Sequence, residues 1–425
     1  MKEFKKGHIN CDDFSQADFI QYQGNDLFEV ADYFAEFVGD AAQKGYMVYG
    51  NPISSAPGPE FTLHDLYQNK ERSFLNFCSY NYLGYSTHPE VIGAVQATVG
   101  KYGTGAVSAP LLSGYYDLSY QLEQSIAQFK GKTGAVIFPT GYGTNLGAIS
   151  AILKPGDVAV LDILAHASIY DGVRLAGADV KVFAHNSAKH LDRVLSDLEG
   201  RRVLVCLEGI YSMDGDMADL PPLVEVCKKH GAKILLDEAH SSLLFGKKGR
   251  GVAEELGVEK DIDITVGTFS KAFGAIGGFV CGDAALMQYI RCNAHSYVFS
   301  CAMAPHTAAG ILKVLELYQQ DQSPRDRLMA NAKYMLEKLQ AAGFDTGETQ
   351  SQVIPVIVGN DRKLREVSKR IFAAGLYTGI VTYPAVSSKR TRLRLSMSST
   401  HTKEQMDRAV QILIDVFDSM KDFQG

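Results

Sequence analysis

Lys271 stands in the stretch Gly267-Thr-Phe-Ser-Lys271-Ala-Phe-Gly-Ala-Ile-Gly-Gly278, directly after an apolar run ending at Val266. A lysine just past the end of a buried strand sits at the usual ligand edge of a parallel sheet. Its neighbours are small, and Thr268 and Ser270 carry hydroxyls. That suits an amine that forms a Schiff base beside donors for a phosphate. Taken alone, a lysine among glycines is equally an ordinary loop residue. The stretch Lys233-Ile-Leu-Leu-Asp237-Glu-Ala-His240 adds a carboxylate at the end of a second buried run, with a histidine three residues on. A carboxylate there is costly unless it meets a cation. The protonated ring nitrogen of pyridoxal phosphate is such a cation, and Asp237 would keep that ring an electron sink. A metal site from Asp237, Glu238 and His240 would need a second ligand cluster, which the sequence does not offer; no metal is expected.

A third stretch, Phe138-Pro-Thr-Gly141-Tyr-Gly-Thr-Asn145-Leu-Gly147, reads as a strand turning through glycines into a helix. Backbone N–H groups at such a start form a phosphate cup. The nearby Gly131-Lys132-Thr133 is not a nucleotide-binding P-loop, because Ile126 stands where that motif needs glycine. His166, in Leu161-Asp-Ile-Leu-Ala-His166, follows another apolar run and could stack on a flat ring, or be a structural histidine.

These residues need strands to hold them. Apolar runs at 134–138, 157–161, 180–183, 203–207, 233–236, 262–266 and 277–280 alternate with amphipathic helical segments such as 118–129 and 221–230. That rhythm predicts an α/β domain with a mostly parallel seven-stranded sheet covered on both faces. Residues 1–73 read as an N-terminal arm punctuated by Asn51-Pro52 and Pro57-Gly58-Pro59, and residues 74–304 as the large domain. Residues 305–425 read as a small α+β domain: helical stretches at 307–319, 325–342 and 361–374, strand-like 353–358 and 391–397, and a last helix from Thr402.

Composition excludes several classes. The 425 residues carry 42 Lys+Arg against 48 Asp+Glu, a net charge of -6, so nothing in bulk charge favours nucleic acid. No run reaches the roughly 18 apolar residues of a membrane span, and the start of the chain has no secretory apolar core. Seven scattered cysteines without a CxxC pair argue against a disulfide framework or zinc site. A cytoplasmic protein is expected.

Together the stretches resemble the α-oxoamine synthase family of fold-type I pyridoxal-phosphate enzymes. The resemblance runs from about Asn76 to the C-terminus, through Ser79-Tyr-Asn-Tyr-Leu-Gly84, Thr140-Gly-Tyr-Gly-Thr-Asn145, His166-Ala-Ser-Ile-Tyr-Asp-Gly172, Tyr211-Ser-Met-Asp-Gly-Asp216, Asp237-Glu-Ala-His240 and Gly267-Thr-Phe-Ser-Lys271. His185-Asn186-Ser187 and Tyr297-Val-Phe-Ser300 look most like soluble bacterial serine palmitoyltransferases.

The resemblance implies roles position by position. Lys271 would form the Schiff base, Asp237 pair with the pyridine nitrogen and His166 stack on the ring. His240, with Ser212, would bond the phenolic oxygen. Gly141, Tyr142, Thr268 and Ser270 match the phosphate cup, and Ser300 matches a phosphate contact from the neighbouring subunit of a homodimer. Arg394 matches the arginine that grips the substrate carboxylate, and Asn81 a substrate contact. The implied reaction condenses glycine, alanine or serine with an acyl thioester, on coenzyme A or a carrier protein, losing carbon dioxide to leave an α-amino ketone. Alternatives are the other condensations of the family (aminooxononanoate synthase or aminoketobutyrate ligase type) and a fold-type I aminotransferase. A non-catalytic partner subunit would lack Lys271. Pro110 and Ser119 stand where the family commonly has Arg and His, and His295 where the serine palmitoyltransferase pattern has Arg. These departures leave the acyl donor and the amino acid open.

Overall fold

A computed structural model describes residues 2–421 and 423. The chain divides into two units: residues 80–328 form one, and residues up to 79 join those from 329 onward in the other. Among the described residues the strands are β1 (Glu60–Asp65), β2 (Lys70–Phe77), β3 (Gly134–Phe138), β4 (Val158–Asp162), β5 (Asp179–Phe183), β6 (Val203–Glu208), β7 (Lys233–Asp237), β8 (Ile264–Thr268), β9 (Gly278–Gly282), β10 (Val353–Ile357), β11 (Leu376–Val381) and β12 (Arg392–Ser396).

The unit of residues 80–328 is built on the expected seven-stranded sheet, in the order β3-β9-β8-β7-β6-β4-β5. Neighbours from β8 through β5 pair parallel, while β9 runs against both β8 and β3. Every residue of β4, β8 and β9 is buried, as continuous apolar runs in a sheet covered on both faces require. β5 differs because it is the edge: four of its five residues are exposed. The core between sheet and helices gathers Val136, Phe138, Ile149, Leu161, Ile169 and Val266. The pairing directions set the geometry that matters. The C-terminal ends of β3, β4, β6, β7 and β8 (Phe138, Asp162, Glu208, Asp237 and Thr268) lie along one edge of the sheet.

The other unit carries a five-stranded sheet in the order β1-β2-β11-β12-β10. All its pairs are antiparallel except β2 with β11. Three of these strands, β1, β2 and β11, have no counterpart in the runs read from sequence. β1 buries only alternate residues, Phe61, Leu63 and Asp65, so its signal is a period of two inside a polar segment. Asp65 then accepts the N–H groups of Tyr67 and Gln68 and helps turn the chain into β2. β11 follows the helix Asp361–Ala373 after only Ala374 and Gly375, the latter at φ 84, a reversal too short to mark a boundary in the sequence. The helix Glu29–Gln43 packs Tyr33, Phe37 and Ala41 into an aromatic cluster with Phe14 and Phe19.

Candidate active site

The loops leaving that common edge carry most of the residues picked out by type and spacing. Gly141 follows β3, His166 follows β4, Ser212 follows β6, His240 follows β7 and Lys271 follows β8. Asp237 ends β7 itself, 6% exposed. Its carboxylate accepts the side-chain N–H of Asn145 at 2.8 Å and the backbone N–H of Ala239 at 2.9 Å. Both donors are neutral, so neither cancels its charge.

Asn145 links this carboxylate to the histidine. Its Nδ2 also donates to Ser168 Oγ at 2.9 Å, and Ser168 Oγ lies 2.7 Å from His166 Nδ1. Ser168 N–H donates to the same Nδ1 at 3.3 Å, so His166 caps the helix Ala167–Ala176 through an unprotonated nitrogen. The surrounding protein lowers the His166 pKa; Asp237 raises it by less, and Lys271 lowers it further. The ring is held neutral. In register with Asp237, Glu208 ends β6 and accepts the backbone N–H of His166. Burial first, and the charge of Asp237 second, push the Glu208 carboxyl well above its usual range.

A glycine cradle faces the same edge. A Cβ on Gly141 would lie 2.6 Å from Thr268 Oγ1, and one on Gly278 would lie 2.4 Å from Thr144 Oγ1. Only hydrogen fits, so the start of the 12-residue helix Gly141–Ile152 comes close against β8 and β9. Thr140 caps that helix by accepting Gly143 N–H at 2.9 Å. Thr268 donates to Gly277 O at 2.9 Å and accepts from Ser270, whose Oγ lies 2.7 Å away. Two hydroxyls thus sit beside a helix N-terminus, and rotating their protons away from Gly277 O and Thr268 Oγ1 would add them to its N–H donors for a phosphate. Tyr142 turns its phenol outward to Asp171, and its ring meets that of His166 edge-on at 6.5 Å.

His240 is 5% exposed, with Nδ1 3.0 Å from the Tyr82 hydroxyl. Lys271 Nζ lies 6.0 Å from the centre of the Tyr80 ring. Asn81 is buried and its Oδ1 accepts Ser86 N–H at 3.2 Å. Ser300 is half-buried just after the short helix His295–Val298. Arg394 is buried in the middle of β12, in the other unit. Of the three departures, Pro110 and Ser119 are buried, Ser119 with an unpartnered hydroxyl, and His295 is exposed.

Asn145, Ser168 and Glu208 were given no role from the sequence. Asn145 and Ser168 lay inside quoted motifs, but only the fold brings 145, 168 and 237 together. His185 is a fourth. Its two nitrogens bond Asp162 at 3.0 Å and Asp216 at 2.6 Å, and the two carboxylates outweigh burial to hold its pKa at about 10. Its ring meets Tyr211 edge-on at 4.5 Å, which braces the turn that carries Ser212.

The buried Asp237 carboxylate held by two neutral donors, the glycine cradle and the Asn145 Oδ1 left without a hydrogen-bond partner are features that pyridoxal phosphate fits. Residues 72–413 match the model of the aminotransferase class I and II family. The chain is 35% identical to 4-hydroxy-2,2'-bipyrrole-5-methanol synthase of Serratia sp., over 93% of this chain and 61% of that protein. It thus spans about three fifths of the length of that relative. It is 36% identical to 8-amino-7-oxononanoate synthase of Alkaliphilus metalliredigens, over 82% of this chain and 89% of that one. A serine palmitoyltransferase variant from S. paucimobilis, solved with bound PLP and myriocin, superposes with a TM-score of 0.88 at 32% identity, covering 94% of this chain and 100% of its own. The protein belongs to the α-oxoamine synthase family of fold-type I pyridoxal-phosphate enzymes.

Proposed function

We propose that the protein joins a small amino acid to an acyl thioester, with loss of carbon dioxide and free thiol, to give an α-amino ketone. The cofactor is supported by Asp237, a buried carboxylate held by two neutral donors at the strand end beside the one that leads to Lys271, and the condensation by the similarity to an 8-amino-7-oxononanoate synthase and a serine palmitoyltransferase. When bound, pyridoxal phosphate supplies the electron sink for the pair of electrons left on the amino-acid α-carbon.

The chain's own residues would do the rest. Asp237 holds a ring N–H and its positive charge, with Asn145 fixing the carboxylate orientation. His166 offers a neutral face for stacking, since Ser168 occupies its Nδ1 and its pKa is lowered. His240, whose Nδ1 lies 3.0 Å from the Tyr82 hydroxyl, would donate from Nε2 to the phenolic oxygen together with Ser212. The N–H groups at Gly141 and Tyr142, with the Thr268 and Ser270 hydroxyls, hold the phosphate. Lys271 Nζ would hold the cofactor and, once the incoming amino group has displaced it as a free amine, would take the α-proton. Arg394 grips the substrate carboxylate in a planar, two-pronged bond, and Asn81 contacts the substrate. Ser300 reaches the phosphate of a second copy in a homodimer, and the enzyme works in the cytoplasm. No helix among the described residues is long and apolar enough to cross a membrane.

Serine, alanine or glycine is the amino acid, in a reaction of serine palmitoyltransferase type. Product mass spectrometry on these three, each with a ladder of acyl thioesters on coenzyme A and on carrier protein, tests the reading. An α-amino ketone with carbon dioxide release is the expected product. A requirement for a 2-oxo acid without thioester use would replace it with an aminotransferase. Lys271→Ala should abolish turnover, and full activity in that variant would end the assignment.

A further inference from the structure

A cavity of 490 Å³ lies within the unit formed by the N- and C-terminal segments. It arises where two strands part. β11 pairs with β2 only over Leu376–Thr378, opposite Leu75–Phe77, and then runs on to Val381 beside β12 alone. The helix Glu29–Gln43 contributes Phe37 and Ala41 to the wall, and the helix Asp361–Ala373 contributes Ile371 and Phe372. The volume falls in the range of small-molecule sites, about 300–1,000 Å³; Asp361, Arg365 and Ser368 also line it, so the part suited to an apolar guest is the stretch between Phe34, Phe37, Ile371 and Phe372.

Its position says which guest. Gly379 lines the cavity and is the register partner of Arg394 across β11 and β12. Cys78 lines it too; burial raises its thiol pKa and the charge of Arg394 draws it back. Arg394, the arginine assigned to the amino-acid carboxylate, does not line the cavity itself but is one strand away from it, through Gly379, and within electrostatic reach of Cys78. In the proposed condensation, the acyl carbonyl carbon must come within bonding distance of the carbon that bears this carboxylate. The rest of the acyl chain must then leave through a neighbouring apolar space. Resting on that reading, we infer that this cavity holds the acyl chain of the thioester, with its carbonyl end toward Cys78 and its methyl end between Phe37 and Phe372.

The test uses the full-length protein loaded with pyridoxal phosphate and a hexadecanoyl pantetheine thioester bearing a diazirine on its last carbon. The pantetheine arm is common to coenzyme A and carrier proteins. After irradiation, labelled peptides should map to residues 34–49 or 365–383; label confined to other segments overturns the proposal. Independently, Ala41→Phe fills the cavity. It should shorten the longest chain accepted by several carbons, with affinity falling about fourfold per methylene excluded, while acetyl turnover is unchanged. An unchanged chain-length profile in a folded Ala41→Phe protein contradicts the inference, and the label map decides if the variant does not fold. Labelling is read without turnover. Correct labelling with no α-amino ketone from any substrate pair would therefore sink the condensation and leave the acyl cavity standing.

Discussion

Asn145 serves two groups at once: one amide N–H orients the Asp237 carboxylate and the other fixes the Ser168 hydroxyl that faces His166. Replacing it with alanine removes a hydrogen bond to a charged acceptor, worth about 1.5–3 kcal/mol, and leaves the buried carboxylate less satisfied. Asn145→Ala should therefore weaken pyridoxal-phosphate binding by about 10- to 100-fold. Absorbance titration of the apoprotein measures this, with far-ultraviolet circular dichroism to show the fold intact. An unchanged dissociation constant would remove Asn145 from the cofactor support. Ser168, by contrast, also supplies its backbone N–H to His166, a contact that side-chain substitution leaves in place.

At the scale of elements, His401 pins the approach to the last helix, Lys403–Asp418, against β2. Its Nε2 donates to Asn76 O at 2.9 Å, its Nδ1 accepts Ser398 N–H at 3.0 Å, and its ring stacks on Phe77 at 4.2 Å. Burial lowers its pKa to about 4. The folded value lies below the unfolded 6.5, so the unfolded chain binds more protons and stability falls as pH drops through 6.5 toward 4. Between pH 7 and pH 5 the loss is about 2 kcal/mol. His185 acts in the opposite sense: its contribution is complete below about 6.5 and fades as pH rises through about 10. The comparison must therefore be with a variant. Urea unfolding of wild type and His401→Gln at pH 7 and pH 5 should show a steeper acid loss in wild type. Parallel losses would mean that His401 does not titrate as its burial requires.

At the scale of the whole molecule, the proposed homodimer makes a prediction that composition could not. If Ser300 reaches the phosphate of the neighbouring copy, Lys271→Ala and Ser300→Trp break different halves of one site. Mixed dimers of the two variants then contain one wholly broken site and one intact one. Mixing two nearly inactive proteins under subunit exchange should restore about a quarter of wild-type activity, from a statistical half of mixed dimers with one of two sites working. No recovery, with exchange verified by tagged subunits, would place Ser300 in its own subunit's site.

The sequence by itself determined the chemistry-bearing strand ends and the sheet. Asp237 and Lys271 were legible because β7 carries the buried apolar run Ile234–Leu236 straight into Asp237, while β8, buried throughout, ends at Thr268 three residues before Lys271. β1, β2 and β11 were not legible, because only half the residues of each are buried, too few for a continuous apolar signal along the strand. Asn145, Ser168 and Glu208 have ordinary local contexts, and their meaning comes from contacts across 23, 92 and 42 positions of the chain. Strand order decides such contacts: β6 places Glu208 beside Asp237 only because the sheet runs β8-β7-β6-β4, which local patterning does not encode. The cavity one strand away from Arg394 belongs to the same category. It exists because β2 ends where β11 continues, and only the folded register shows that.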